Sequence, residues 1–276
     1  MKNIGLVILS LILVGCQSVN KNQNFGSANL KSFEKGISYS EKNEIKNWIS
    51  SEHTDTYIKS KNFNGRKPKM LVIHHTDSND DVPTINIFKE KEVSSHYLIS
   101  RTGEIIQFVD EKNRAFHAGA SYWNGVDDVN SYSIGIELSN DMKAEYTEEQ
   151  IKSLIILSKD IMKRYGIKKD MVVGHLDVSP GRKIDPYINF PWDKLAKEDI
   201  CLLCDENYKK VHLPKNFNWK SALIEIGYDP NKIDKAMSSF RMKYFKKVSA
   251  ISNPSIEEKK YMYCLLKKFR ETRTQK

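Results

Sequence analysis

Met70-Leu71-Val72-Ile73-His74-His75 is the stretch on which the fold turns. Four consecutive apolar residues, too few for a helix and ending on two histidines, read as a strand buried on both faces. Outward from it, Tyr97-Leu98-Ile99-Ser100 and Glu104-Ile105-Ile106-Gln107-Phe108-Val109 are two further strands. Arg101-Thr102-Gly103 joins them as a tight turn in which Gly103 supplies the permissive backbone. Ser133-Ile134-Gly135-Ile136-Glu137-Leu138 is a fourth strand and Met171-Val172-Val173-Gly174 a short fifth. Between these two, Thr147-Glu148-Glu149-Gln150 is a capping box: the Thr147 hydroxyl accepts from the Gln150 amide, and the Gln150 side chain reaches back. The helix that it opens puts Ile151, Leu154, Ile155, Ile161, Met162 and Tyr165 close to one face and stops at Gly166. Strands interspersed with helices predict an α/β fold, a mixed β-sheet flanked by helices. From about residue 208 the texture changes. Residues 219–224, 232–245 and 256–269 read as helices of a small C-terminal helical domain, a bundle whose apolar faces form its own core.

The chain has 276 residues, enough for one well-cored domain plus a smaller one. Hydrophobic content of 39% and charged content of 29% are those of a soluble globular protein. The formal charge of +9 fits a lysine-rich soluble surface or attraction to an anionic partner. Nucleic acid, anionic lipid and cell-wall polymer all qualify, so charge alone does not choose. No nucleic-acid-binding motif is present, and no nucleic-acid partner is expected.

The first residues bear on the compartment. Met1-Lys2-Asn3 is a short positive start, and residues 4–15 are an apolar run too short to span a bilayer but suited to a signal-peptide core. The run ends in Leu13-Val14-Gly15-Cys16, which resembles a bacterial lipobox, in which cleavage precedes the cysteine and the cysteine is lipidated. Cleavage would remove Lys2 and leave a charge of +8. Gln17 rather than Asp follows Cys16, which by resemblance to enteric lipoproteins implies an outer-membrane lipoprotein facing the periplasm, held to the membrane through Cys16. Residues 17–36 are rich in Gln, Ser, Asn, Lys and Gly and read as a flexible tether. Of the remaining cysteines, Cys201 and Cys204 have C-x-x-C spacing but no second pair or paired histidines to complete a structural zinc site. Structural thiols, or a disulfide from one of them to Cys264 with one thiol left over, fit better.

Seven histidines occur: His53, His74, His75, His96, His117, His175 and His212. His74 and His75 end the first strand. His175 ends Val172-Val173-Gly174 and leads into a loop, residues 176–186, whose Pro180-Gly181 turn is followed by Arg182, Lys183 and Asp185. Such a loop is a poor recipe for a core and a good one for a site. Glu137 lies inside an apolar strand, where an unpaired carboxylate is costly to bury. The set suits zinc, yet no HExxH fixes a metal site by spacing, and a strand-end histidine taken alone is more often a satisfied structural residue.

Several segments, in this order, carry a resemblance: Val72-Ile73-His74-His75-Thr76, Ser95-His96-Tyr97-Leu98-Ile99, Arg114-Ala115-Phe116-His117-Ala118-Gly119, residues 133–138, residues 174–186 and Phe190-Pro191-Trp192. Together they resemble the amidase-2 family of N-acetylmuramoyl-L-alanine amidases, which shares its fold with the peptidoglycan recognition proteins. The resemblance covers roughly residues 68 to 196. With the lipobox in front and helices behind, it is nearest the outer-membrane lipoprotein type of that family. Ile226-Gly227-Tyr228-Asp229 and Met237-Ser238-Ser239-Phe240-Arg241 resemble the helical peptidoglycan-binding module of that type, with Arg241 standing where the family's usual residue is Gln.

The resemblance implies a zinc amidase catalytic domain over residues 37–200 and a peptidoglycan-binding-like helical domain over residues 208–276. It implies Zn2+ held by His74, His175 and Asp185, with the fourth position left to water. Glu137 matches the family's catalytic glutamate and Lys183 its oxyanion-stabilising lysine. His117, Asn130 and Arg114 match positions near the substrate cleft. Strand alternation points His75 away from the cluster, and His96 supports the fold. The implied reaction is hydrolysis of the amide between N-acetylmuramic acid and L-alanine in peptidoglycan or muropeptides. The competing reading is a non-catalytic peptidoglycan-binding module of the same fold. After His175 the chain reads Leu176-Asp177-Val178-Ser179-Pro180, where many relatives have Ser-Asp-Ile-Ala-Pro. Oligomeric state is not legible.

Overall fold

A computed structural model describes residues 51–58, 60, 64–249 and 253–274. The expected leader at residues 1–16, with Cys16, and the tether at residues 17–36 lie outside the described residues. Along the chain run β1 (Thr56–Tyr57), β2 (Asn64–Gly65), β3 (Met70–Ile73), α1 (Asp81–Glu90), β4 (Tyr97–Ile99), β5 (Ile105–Gln107), β6 (Asn113–Arg114), α2 (Val129–Tyr132), β7 (Ser133–Leu138), α3 (Glu148–Tyr165), β8 (Val172–Gly174), α4 (His175–Val178), α5 (Trp192–Lys197), α6 (Trp219–Ile226), α7 (Ile233–Phe245) and α8 (Ile256–Thr274).

Six strands form one sheet in the order β1-β5-β4-β7-β3-β8, and β2 pairs with β6 separately. Only the β4–β5 pair in the large sheet is antiparallel; β3, β7 and β8 are parallel neighbours. The mixed sheet expected from the alternating elements is therefore present. Central parallel strands are buried on both faces, and β3 shows it: all four of its residues are fully buried.

Strand alternation divides those residues between two cores. Leu71 and Ile73 join Tyr97, Ile99, Ile134, Ile136 and Leu138 under α3 and α5, against Ile151, Leu154, Leu157, Ile161 and Leu195. Met70 and Val72 face the other way, with Val173, into a core built from Trp123 and the C-terminal helices. Helix α3 starts at Thr147, whose hydroxyl accepts from the Gln150 amide at 3.1 Å, and stops at Gly166 in the left-handed region with φ 62°. The Gln150 side chain does not return to the cap as the capping box predicts. It is buried and donates to the carbonyls of Ile99 and Ser139 at 3.0 and 3.2 Å, bridging the ends of β4 and β7 beneath the helix. Helix α1, begun by the Asp80 carboxylate accepting from the Val82 amide at 3.0 Å, carries no strong pattern; Thr84, Ile85 and Phe88 are its buried residues.

The C-terminal helices occupy nearly the ranges read from sequence, but they do not keep a core to themselves. Ala222, Leu223, Ile226, Met237, Phe240, Met262 and Leu265 share one cluster with Met70, Val72, Trp123 and Val173 of the α/β region. They are the sheet's second cover, because the Met70/Val72 face has to be buried by something. Cys204 and Cys264 form a disulfide that ties the approach to these helices to α8, and Cys201 is the free, buried thiol.

Arg241 finds a partner in this packing. Its Nε and Nη2 donate to the two Glu258 oxygens at 2.7 and 3.2 Å, both residues being buried, and Nη2 also donates to the Asn253 carbonyl at 3.1 Å. Glu258 in turn accepts from the Ser255 amide at 2.6 Å, while the Ser255 hydroxyl accepts from the Glu258 amide at 3.1 Å, a reciprocal cap at the start of α8. Burial pushes the Glu258 carboxyl up, but Arg241 and the Ser255 amide outweigh it and hold the group below its usual range. Removing one partner of a buried pair strands the other charge, so Glu258→Ala should cost about 3 kcal/mol at pH 7, read from urea midpoints. A carboxyl with a depressed folded pKa stabilises above its unfolded pKa of about 4.3 and loses that contribution as pH falls through the folded value. The variant's deficit should therefore shrink in acid. A deficit unchanged between pH 7 and pH 3 would contradict this account.

Candidate metal centre

The parallel register gathers the polar residues. Ile73 lies opposite Gly174 on one side and Ile136 on the other, so His74, His175 and Glu137 follow at the same end of three adjacent strands. That end is the carboxyl edge of the parallel strands, where open α/β sheets place ligands. His74 continues the Met70/Val72 side of β3. The loop after α4 returns Asp185 to the same place, and the Leu176 amide donates to the Asp185 carbonyl at 2.7 Å, joining the two ligand segments through backbone.

His74 Nδ1 and His175 Nδ1 lie 3.0 Å apart, and Asp185 Oδ2 is 3.2 Å from the first and 3.0 Å from the second. All three residues are buried and their ligand atoms lie within 4.8 Å of one another, a group that can bind a metal. Metal–nitrogen bonds of about 2.0–2.1 Å in a tetrahedron put ligand atoms about 3.3 Å apart, close to this triangle. Burial, reinforced by His175, lowers His74 to about 4 against the opposing pull of Asp185, so its imidazole is neutral near pH 7. Burial raises Asp185, but His175 and His74 outweigh it and hold the carboxyl well below its ordinary range. A neutral His74 imidazole and an ionised Asp185 carboxylate are ligand forms that a divalent cation requires.

Hydrogen bonds behind the ligands fix which ring nitrogen is bare. The His175 Nε2 donates to the Ala118 carbonyl at 3.1 Å, leaving Nδ1 without a proton. His74 is set through two further residues. The Ser133 hydroxyl donates to the Val129 carbonyl at 2.7 Å, so its oxygen accepts from His117 Nε2 at 3.2 Å. His117 Nδ1 is then an acceptor, and His74 Nε2 donates to it at 3.0 Å. The bare nitrogen of His74 is again Nδ1, inside the triangle. Burial, with His74 and His96 adding to it, holds His117 well below its usual range, which keeps this relay neutral. The His117 ring lies against Gly135: a Cβ there would meet His117 Cγ at 2.6 Å, so β7 has room for no side chain at that position.

Glu137 borders the triangle, with Oε1 3.9 Å from His74 Nδ1 and Oε2 buried without a hydrogen-bond partner. Burial, and then the Asp185 carboxylate, push its carboxyl well above the ordinary range, while Lys183 pulls the other way. Lys183 is exposed on the Pro180–Asp185 loop, and its charge acts on both Glu137 and His74.

The expected cleft residues also have partners within the protein. Asn130 is buried, and its Oδ1 accepts from the amides of His117 and Ala118 at 3.0 and 2.8 Å, so it shapes the backbone that carries His117 instead of presenting that oxygen to a ligand. Arg114 on β6 pairs with Asp128 at 3.1 Å and lies over the Phe116 ring at 4.8 Å. His75 lies outside the ligand triangle; the Asp77 amide donates to its Nδ1 at 3.3 Å. His96 staples strands, its Nδ1 accepting from the Gly135 amide at 3.0 Å, as a fold-supporting residue would. The sequence does not foretell the roles of Ser133 and Arg182. Arg182 donates to the carbonyls of Ala118 and Ala120, the latter at 3.0 Å, and to Ser179 Oγ at 2.6 Å, locking the ligand loop to the His117 segment.

Known proteins resemble this chain. A family model described as N-acetylmuramoyl-L-alanine amidase matches residues 64–188. N-acetylmuramoyl-L-alanine amidase AmiD of Escherichia coli is 41% identical over 148 residues, 48% of this chain and 53% of its own length. The 1,6-anhydro-N-acetylmuramyl-L-alanine amidase AmpD of Salmonella typhimurium is 33% identical over 147 residues, 46% of this chain and 79% of that protein. The chain thus spans about half the length of the first relative and most of the second. Among solved structures, the complex of the E. coli AmiD with the substrate anhydro-N-acetylmuramic acid-L-Ala-D-gamma-Glu-L-Lys superposes with a TM-score of 0.63 at 33% identity, covering 73% of this chain and 89% of that one. Motif order, sheet topology and these matches agree: the chain belongs to the amidase-2 family of N-acetylmuramoyl-L-alanine amidases.

Proposed function

We propose that this protein is a zinc-dependent amidase that hydrolyses the bond between N-acetylmuramic acid and L-alanine in peptidoglycan or its muropeptide fragments. The observation that carries the proposal is the buried triangle of His74 Nδ1, His175 Nδ1 and Asp185 Oδ2 with Glu137 at its edge. Zinc held there would act as a Lewis acid with an open position, lowering the pKa of bound water to about 7.

The protein's own groups supply the rest. Glu137, whose raised pKa makes its carboxylate the stronger base, receives a proton from the attacking water and delivers it to the amide nitrogen as the carbon–nitrogen bond breaks, leaving a free L-alanine amine and a lactyl carboxylic acid that then ionises. The Lys183 ammonium, on the loop that carries Asp185, offsets the negative charge that grows on the carbonyl oxygen. His117 and Ser133 keep His74 in the liganding tautomer. The solved E. coli relative with a muropeptide bound supports the substrate class. The lipobox at Cys16 supports an exported lipoprotein held to the outer membrane on its periplasmic side, although those residues lie outside the described ones.

Two measurements test this reading. Incubated with zinc and purified muropeptides, the protein should release stem peptides with a free L-alanine amine, seen by mass spectrometry. A chelator should abolish release, and Glu137→Ala should slow it by about 10²–10⁴-fold, the usual worth of a positioned proton carrier. Muropeptide binding with no release at any zinc level would favour the non-catalytic module. Separately, Ser133→Ala removes the acceptor that fixes the His117 tautomer. Zinc affinity from chelator competition should fall by about 10-fold, at the low end for a residue supporting a ligand, and an unchanged affinity would remove Ser133 from the relay.

A further inference from the structure

The turn that carries His175 is held from the far side by the C-terminal helices. Asp177, two residues beyond His175, is completely buried and accepts three hydrogen bonds. One comes from the Gly174 amide at 2.8 Å, immediately before His175, and caps α4. The other two come from residues more than fifty positions away. Lys243 Nζ in α7 donates to Asp177 Oδ2 at 2.6 Å, and the Tyr228 hydroxyl, just after α6, donates to Oδ1 at 2.7 Å. Lys243 and Tyr228 are both buried, and the Lys243 ammonium lies 4.0 Å from the centre of the Trp192 ring, so the pair sits where water does not screen it. From Asp177 the connection runs through Gly174 to His175 and, by the Leu176 amide on the Asp185 carbonyl, to the third member of the triangle.

We propose that Lys243 and Tyr228 are positioning residues of the metal centre, and that the helical C-terminal segment completes this centre as well as covering the sheet. The inference rests on the reading that His74, His175 and Asp185 hold a divalent metal. A lysine in an apolar core is expensive to bury. An apolar residue would fill the same space, so the ammonium is explained by the carboxylate it fixes. That carboxylate caps the four-residue helix whose first residue is a ligand. Without Lys243, Asp177 is left as a buried charge with one long-range donor, and the His175 turn is free to shift.

The test uses the full chain and cobalt, whose visible spectrum reports coordination geometry, together with zinc affinity by chelator competition. Lys243→Met should weaken zinc binding about 10–100-fold and change the cobalt spectrum; Tyr228→Phe, which removes one hydroxyl, should shift both in the same direction by less. Arg273→Met is the control. It breaks a different anchor of these helices, the Arg273–Asp170 pair at 2.9 Å and the Arg273 bonds to the Glu225 and Ile226 carbonyls, none of which includes Asp177, and should leave affinity and spectrum as in the parent. If Lys243→Met does not fold, Tyr228→Phe alone decides. Parental affinity and spectrum in both clamp variants would overturn the proposal. So would an equal loss in Arg273→Met, which would mean general loosening. A parent chain that binds neither metal would instead sink the metal reading on which the proposal rests.

Discussion

Two imidazole nitrogens and a carboxylate oxygen 3.0–3.2 Å apart repel one another unless a proton or a metal ion lies among them, and much of this molecule holds them there. The parallel pairing of β3 with β7 and β8 sets the positions. A one-residue slip of β3 would carry His74 to the α3 side and bring His75 to the cluster, while moving Leu71 and Ile73 into the wrong core. Register is thus enforced by the burial of four apolar side chains on two faces, and the liganding histidine rides on that register at no separate cost.

The same burial explains why the chain needs its C-terminal helices. A strand apolar on both faces must be covered twice. Helices α3 and α5 cover one side, and the helices after residue 218 cover the other, through Ala222, Leu223, Met237, Phe240 and Met262. A bundle with a private core would leave Met70, Val72 and Val173 against water. Burying three aliphatic side chains is worth about 2 kcal/mol each, so the shared core is the arrangement that the strand pattern demands.

Much of this was legible in the sequence, for identifiable reasons. Apolar runs placed β3, β7 and β8 because central strands advertise burial by composition. Helix α3 was bounded by Thr147 and Gly166 because caps are local chemistry. His74, His175, Asp185 and Glu137 became a set only through the family motifs, since no spacing rule brings together residues as much as 111 positions apart. What escaped was of one kind. Gln150 looked like a cap residue and Asn130 like a cleft residue, but both donate or accept inward, toward backbone groups supplied by other elements. Ser133, Asp177, Tyr228 and Lys243 matter through partners 16 to 66 residues away, and a polar residue in one sequence carries no mark of which distant group it meets.

Arg241 and Lys243 show how such residues coexist in one helix. Both are cations in the buried part of α7, two positions apart, and each meets its own carboxylate: Glu258 at the start of α8 and Asp177 beside His175. Buried ion pairs add little net stability compared with well-packed apolar side chains, but exchanging or removing a partner is severely unfavourable. They therefore act more on arrangement than on strength. Glu258 fixes where α8 begins relative to α7, and Asp177 fixes where α7 lies relative to the ligand turn. A helix that only covered the sheet could slide along it at modest cost. With two buried charges each satisfied in one place, α7 has one position on the sheet, and the turn bearing His175 is located by the same contact that locates the helix.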